Sequence, residues 1–259
     1  MEKMTPKLLS GVKTLLFDFD NTLLVLDEDI FVKKYAMILS NRFNDYFTTE
    51  EFVHHLLSGT RHMVEDRTAK PNHEKFLDYF VPKCNGVGRA EIYERFLEFY
   101  SGPFAKVGDE THPHPLTREL LELASEKGLE VVIATNPLFP EVAAVARLQW
   151  AGIRDLWPGT IRYITHAENS SFAKPQGEYF TEMLQNLGRT PEECLMVGND
   201  YYNDGAASLV GVKFFHVVGE EHDMTSFLDD SSKDMLGGRE IHVTQQGSLE
   251  SLLALLEDL

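Results

Sequence analysis

Cysteine is scarce in this 259-residue chain: Cys84 and Cys194 stand far apart, and neither sits in a Cys-x-x-Cys pair. No disulfide framework is therefore expected, and the two side chains read as reduced thiols of a cytoplasmic protein. Long apolar runs are missing as well. Nothing approaches the ~20 consecutive apolar residues that cross a bilayer, and Met1 to Lys7 carries neither the apolar segment nor the cleavage site of a signal peptide. Positive charge is the third shortage, with 24 Lys and Arg against 41 Asp and Glu and a formal net charge of −17. That balance argues against nucleic acid, which binds basic surfaces. What remains is 43% hydrophobic and 25% charged, enough apolar material for a proper core.

The stretch that organises the chain is residues 14–23, Thr-Leu-Leu-Phe-Asp-Phe-Asp-Asn-Thr-Leu. Leu15, Leu16 and Phe17 read as a buried strand of a parallel sheet. The run ends in Asp18 and Asp20, followed by Asn21 and Thr22. Burying an unpaired carboxylate costs several kcal/mol, on the order of what no core tolerates twice. At the C-terminal edge of a parallel sheet that cost is avoided, because ligands bind there. The plainer reading is an Asx-type turn after the strand, and this stretch alone does not separate the two.

From Asp27 to about Tyr100 only helical periodicity is visible. A helix over Ile30–Arg42 is predicted with Asp29 as its cap, and a second starts after Thr48. Two more follow Pro71-Asn72 and Gly88. Residues 26–108 hold 11 Lys and Arg against 13 Asp and Glu, a net of −2, whereas the remainder carries −15. The division expected is a catalytic core over 1–25 and 109–259 with an inserted helical body over 26–108. In that body Arg61, His62, Arg67 and Lys70 form the densest basic group, for which a solvated helix face is the favoured reading. His112-Pro113-His114-Pro115 reads as a connector rather than a metal site.

Beyond the connector, strands and helices alternate. Strands are expected at Leu129–Ala134, Ile161–Thr165, Cys194–Val197, Lys213–Val218 and Ile241–Val243. Helices are expected at Leu116–Lys127, Pro140–Trp150, Glu178–Leu187, Ala206–Val210 and Leu249–Leu256. This is an α/β chain with a doubly wound parallel sheet. Three further polar groups stand at its strand ends. Thr135 follows one apolar strand, Lys174 precedes a helix, and Asp200 and Asp204 follow another strand. Singly, each reads at least as well as a turn, a cap or a surface lysine. Together they form a chemically complete set. Several carboxylates about 4–5 Å apart repel strongly without a cation, and a few carboxylates with retained waters suit Mg²⁺. A hydroxyl, a lysine and that ion are what the oxygens of a transferring phosphoryl group need.

The set Asp18-Phe-Asp20-Asn-Thr22, Thr135, Lys174 and Gly198-Asn-Asp200-Tyr-Tyr-Asn-Asp204 resembles, in order and spacing, the four motifs of the haloacid dehalogenase-like superfamily. The helical insertion after the first strand resembles its C1 cap. The resemblance implies that Asp18 attacks phosphorus and that Asp20 serves as general acid and then base. It implies that Thr135 and its neighbour Asn136 bind the phosphoryl oxygens, with Lys174 screening charge beside them. Mg²⁺ is expected on Asp18, the main-chain carbonyl of Asp20, and Asp200, with Thr22, Asn199 and Asp204 in support. Asn199 stands where some relatives carry glycine and others a second acidic ligand. Superfamily dehalogenases lack an aspartate at the place of Asp20, because halide leaves without a proton. An alkoxide needs one, a step worth roughly 10²–10⁴ in rate. The expectation is a Mg²⁺-dependent phosphatase acting on a small phosphorylated metabolite, its helical lid opening and closing over the site on two linkers. A phosphomutase of the same fold and a catalytically weak magnesium- or phosphate-binding regulatory protein are the alternatives.

Overall fold

The computed structural model describes residues 7–219 and 229–259. In chain order its strands are β1 (Thr14–Phe17), β2 (Leu24–Val25), β3 (His112–Pro113), β4 (Glu130–Ile133), β5 (Ile161–Ile164), β6 (Cys194–Gly198), β7 (Lys213–Val217) and β8 (Gln245–Gly247). Six form one parallel sheet in the order β5-β4-β1-β6-β7-β8. The doubly wound α/β expectation holds. β1 lies in the middle, with Phe17 opposite Ile133 of β4 and Val197 of β6. Asp18, Ala134 and Gly198 therefore leave the sheet at one edge, side by side.

Alternation along β1 feeds two apolar layers. Leu15 and Phe17 face one, which is covered by α5 (Thr117–Glu126), α6 (Glu141–Trp150) and α9 (Leu249–Glu257). Leu16 faces the other with Val132 and Met196, under Tyr179, Phe180 and Met183 of α7 (Gly177–Leu187). Strands covered on both faces need no polar alternation, which is why they read as continuous apolar runs. α7 stops at Gly188, whose φ of 63° suits a residue without Cβ.

Between β2 and β3 the chain inserts α1 (Glu28–Ser40), α2 (Thr49–Glu65), α3 (Asn72–Phe80) and α4 (Arg89–Tyr100). Thr48 and Glu51 form the capping box that starts α2. Phe43, Phe52, Phe80 and Phe96 build the insertion's own core, with ring centroids 4.7–5.9 Å apart. β2 and β3 pair antiparallel, so the two linkers form a short ribbon. His114 is buried there, its Nδ1 accepting from the Leu116 amide at 3.2 Å. Arg61, His62, Arg67 and Lys70 are all exposed, as a solvated face requires.

The insertion is also fastened to the sheet-bearing part at a third place, which two linkers alone do not suggest. The Asn72 and His73 amides donate to the Ser170 and Ala167 carbonyls at 2.9 and 3.0 Å. Fully buried Lys75 donates to the Ser171 carbonyl and, at 2.7 Å, to that of Asp66. Tyr93 donates to Glu168 at 2.5 Å.

Several boundaries differ from expectation. Asp27, not Asp29, caps α1, its Oδ1 accepting from the Ile30 amide at 3.0 Å; Asp29 already lies inside the first turn. Residues 241–243 form no strand. Ile241 packs into the second apolar layer, and the strand pairing with β7 begins only at Gln245. The apolar pair Ile241 and Val243 thus signalled burial without pairing. Residues 205–210 wind as a 3₁₀ helix ended by Gly211, and α8 (Asp229–Met235) adds a helix unforeseen in the sequence. Among the described residues no helix is long and apolar enough to cross a membrane.

Candidate active site

The turn after β1 is set by backbone geometry. The Phe19 carbonyl accepts from the Leu23 and Leu24 amides, both at 2.9 Å. Asn21 takes a φ of 55°, a left-handed conformation that asparagine tolerates better than most residues. Its Oδ1 accepts from the Leu26 amide at 3.1 Å. This tight turn projects Asp18 and Asp20 into a cavity of about 170 Å³ at the C-terminal edge of the sheet. Thr135, Asn136, Lys174, Asn199, Asp200 and Asp204 line the same cavity. Residues spread over more than 180 positions of sequence thus converge on one space. Thr22 stands behind it, bonded to Asn199 twice: its hydroxyl donates to Oδ1, and the Asn199 amide donates back, both at 3.1 Å.

Lys174 is the pivot. Its ammonium, 1% exposed, donates to Asp18 Oδ1 at 2.7 Å and to Asp204 Oδ1 at 2.6 Å. Burial alone would push this lysine down; Asp18 and Asp204 outweigh it, and the group is held above its ordinary value. The Lys174 amide donates to Asn136 Oδ1 at 3.2 Å. Beneath it, Thr165 and Tyr179 donate to the Thr135 carbonyl at 2.6 and 2.9 Å and fix the end of β4.

Asp204 also accepts from the Asp200 amide at 3.0 Å, and a Cβ at position 198 would collide with its carboxylate. Glycine at 198 is therefore what lets Asp204 lie against the strand end. Asp200 Oδ1 accepts from the Tyr202 and Asn203 amides at 2.9 and 2.8 Å, and Oδ2 from the Asn203 side chain at 2.5 Å. Asn203 is in turn held by Ser232 of α8 at 3.0 Å.

Arg147 of α6 was not foreseen as a site residue. It is 1% exposed and bonded to Asp20 Oδ1, with its guanidinium over the rings of Phe19, Phe31 and Phe139. The signal was present: with Ala143, Ala144 and Leu148, position 147 lies on the buried stripe of α6, where a charge needs a partner. Burial pushes Asp20 up, Arg147 pulls it back, and Asp18 adds to the rise, for a net upward shift.

Four carboxylates, Asp18, Asp20, Asp200 and Asp204, thus face two cations, Lys174 and Arg147. Among the described residues no three His, Cys, Asp or Glu side chains converge on one point. Asp18 and Asp200 both line the cavity and could hold a magnesium ion together with water, oxygen donors that this hard cation accepts.

A family profile of haloacid dehalogenase-like hydrolases matches residues 12–211. The chain belongs to the haloacid dehalogenase-like hydrolase family. The family expected from the sequence is thereby shown, and the matched span includes Asp18, Asp20, Thr135, Lys174, Asp200 and Asp204. A phosphoglycolate phosphatase of Agrobacterium fabrum is 28% identical over 129 residues, 48% of this chain. The chain matches only about half of that relative, 51% of its length. Among solved structures, a haloacid dehalogenase-like phosphatase of Thermococcus onnurineus superposes with a TM-score of 0.54 at 17% identity, covering 95% of this chain and 98% of that one. The L-2-haloacid dehalogenase of Xanthobacter autotrophicus does so with a TM-score of 0.54 at 15% identity, with the same coverage. At such identities the two structures establish the fold.

Proposed function

We propose that the chain is a Mg²⁺-dependent phosphatase that hydrolyses a small phosphorylated metabolite through an aspartyl phosphate on Asp18. The observation that carries this reading is the convergence of Asp18, Asp20, Lys174 and Asp204 on one cavity, with Lys174 bridging the first and last. Asp18 Oδ1 is held by Lys174, and Oδ2 is the oxygen assigned to attack phosphorus. Lys174 and Thr135, with Asn136 beside it, bind the phosphoryl oxygens as charge redistributes. Asp20, held up by burial, donates its proton to the departing alkoxide and then takes one from the water that cleaves the acyl phosphate. Magnesium on Asp18, Asp200 and the Asp20 carbonyl would supply electrostatic stabilisation of the phosphoryl charge. Asp204 keeps Lys174 in line, and Thr22 and Asn199 tie the nucleophile's turn to the loop after β6.

Residues 26–108 are taken as a cap, because α1 supplies part of the cavity wall. Both cysteines are free and buried, which suits a reducing compartment such as the cytoplasm. Asp20 is what favours an alkoxide over a halide leaving group. The test is phosphate release from a panel of phosphomonoesters, with Mg²⁺ or EDTA, for the wild type and Asp18→Asn, alongside halide release from 2-haloacids. Metal-dependent phosphate release, lost in the variant, is expected. Halide release without phosphate release would overturn the reading.

A further inference from the structure

The cavity has two unlike sides. One is the ring of catalytic groups; the other is built by Leu26, Phe31 and Val32 from the start of the insertion and by Leu138 and Phe139 after β4. Glu28 is the one charged side chain that the described residues place on this second side. Lys174 is the one lysine or arginine in the described lining, and both Asp18 and Asp204 already engage it. Arg147 lies behind the Phe31 and Phe139 rings and is bonded to Asp20. Among the described residues no lysine or arginine lines the neighbouring cavity either, a space of about 50 Å³ bordered by Leu138 and by walls that include Tyr35, Met63, Phe76 and Phe96.

We infer that the alcohol released from this site is uncharged and largely apolar, and that esters bearing a second anionic group are poor substrates. This inference rests on the phosphatase reading and narrows its substrate class. With phosphorus at Asp18, the ester oxygen points away from the sheet edge and the rest of the substrate meets the apolar side. A carboxylate there finds no lysine or arginine among the described lining residues other than the engaged Lys174, so no cation offsets its desolvation. An alkyl or aryl body instead buries area against Phe31, Leu138 and Phe139. Phosphoglycolate, for which the Agrobacterium relative is named, carries such a carboxylate. The wall therefore sets this chain apart from that activity.

The discriminating pair is propyl phosphate and phosphoglycolate, which match in length and differ in charge. Turnover of both by the wild type with Mg²⁺ is compared, and so is binding of the hydrolysis-resistant butylphosphonate and 2-carboxyethylphosphonate. The member without the carboxylate is expected to win by at least about tenfold in both measurements, a difference one buried unpaired charge readily produces. Val32→Lys and Leu138→Arg place a cation on the wall, and each is expected to shift the ratio towards the carboxylate member. Equal or reversed preference in the wild type overturns the inference. So does an unchanged ratio in both variants when circular dichroism shows them folded. Absence of any turnover would sink the phosphatase reading instead, and the phosphonate binding ratio would still decide the character of the wall.

Discussion

The guanidinium of Arg147 is bonded to the carboxylate of Asp20 across 127 positions of sequence, inside a box of three aromatic rings. Arg147 is shut from water while the Asp20 side chain keeps a third of its surface exposed, on the cavity side. The pair is thus anchored at one end and open to substrate at the other. Arg147 holds in place an acid whose rotamer would otherwise be free, and it moderates the rise that burial and Asp18 impose.

Arg147→Met tests this coupling. Removing the cation lets the Asp20 carboxyl rise further, so less of it is ionised at any given pH. Hydrolysis of the acyl phosphate needs ionised Asp20, and the acid limb of the pH–kcat profile is expected to move to higher pH. Turnover near neutrality should fall by about tenfold or more, with partial recovery in Arg147→Lys. An acid limb that stays in place in a folded Met variant would contradict the coupling.

Gly198→Ala tests the seat of Asp204. The added methyl occupies the space of the Asp204 carboxylate, which must move and take its bond to Lys174 with it. Overpacking of this kind costs about 1–3 kcal/mol, readable in urea unfolding. The displaced lysine should lower kcat/KM by on the order of 10²-fold, as misplacements near 1 Å do. A fully active variant would show that Asp204 has no part in placing Lys174.

Lys75 offers a prediction about the insertion. Its ammonium is buried on two main-chain carbonyls, and burial, only partly offset by Asp66 and Glu182, holds it below its ordinary 10.5. Between that lowered value and 10.5 the unfolded chain keeps a proton that the folded chain has released. By linkage, the lysine's contribution makes stability rise with pH across that window. Lys75→Met should lose this rise. It should also be destabilised by about 1–3 kcal/mol, because the Ser171 and Asp66 carbonyls lose their donor. Urea unfolding from pH 8 upward reads both effects; a stability difference that is constant or shrinks with pH would contradict the assignment.

The strand-end residues were legible because each breaks an apolar run with a polar group, and because three such breaks share one sheet edge. Asp18, Asp20, Thr135, Asp200 and Asp204 carry that signal, whereas Lys174 stands in the loop before α7 and was legible only as part of the set. Arg147 carried a weaker one, a charge on a buried stripe, and its partner lies 127 positions away in sequence with no local mark. Phe31 is a buried ring of α1 and also walls the cavity. Periodicity reports that a ring is buried and says nothing of what it faces. The docking of α3 on residues 167–171 left no trace, since its partners are main-chain carbonyls, which every residue type provides.

The central claim is that phosphorus passes through Asp18, and covalent trapping reads it most directly. Asp20→Asn keeps the nucleophile and removes the group that activates water, so the acyl phosphate should outlive its formation. Acid quench after mixing this variant with Mg²⁺ and an activated aryl phosphate, whose leaving group departs without the proton Asp20 would supply, followed by intact mass and peptide mapping, is expected to show one added phosphoryl group, located on Asp18. Asp18→Asn, treated alike, should show none. A wild type that releases phosphate while Asp20→Asn carries no phosphoryl group on Asp18, or while Asp18→Asn retains full activity, would contradict the mechanism.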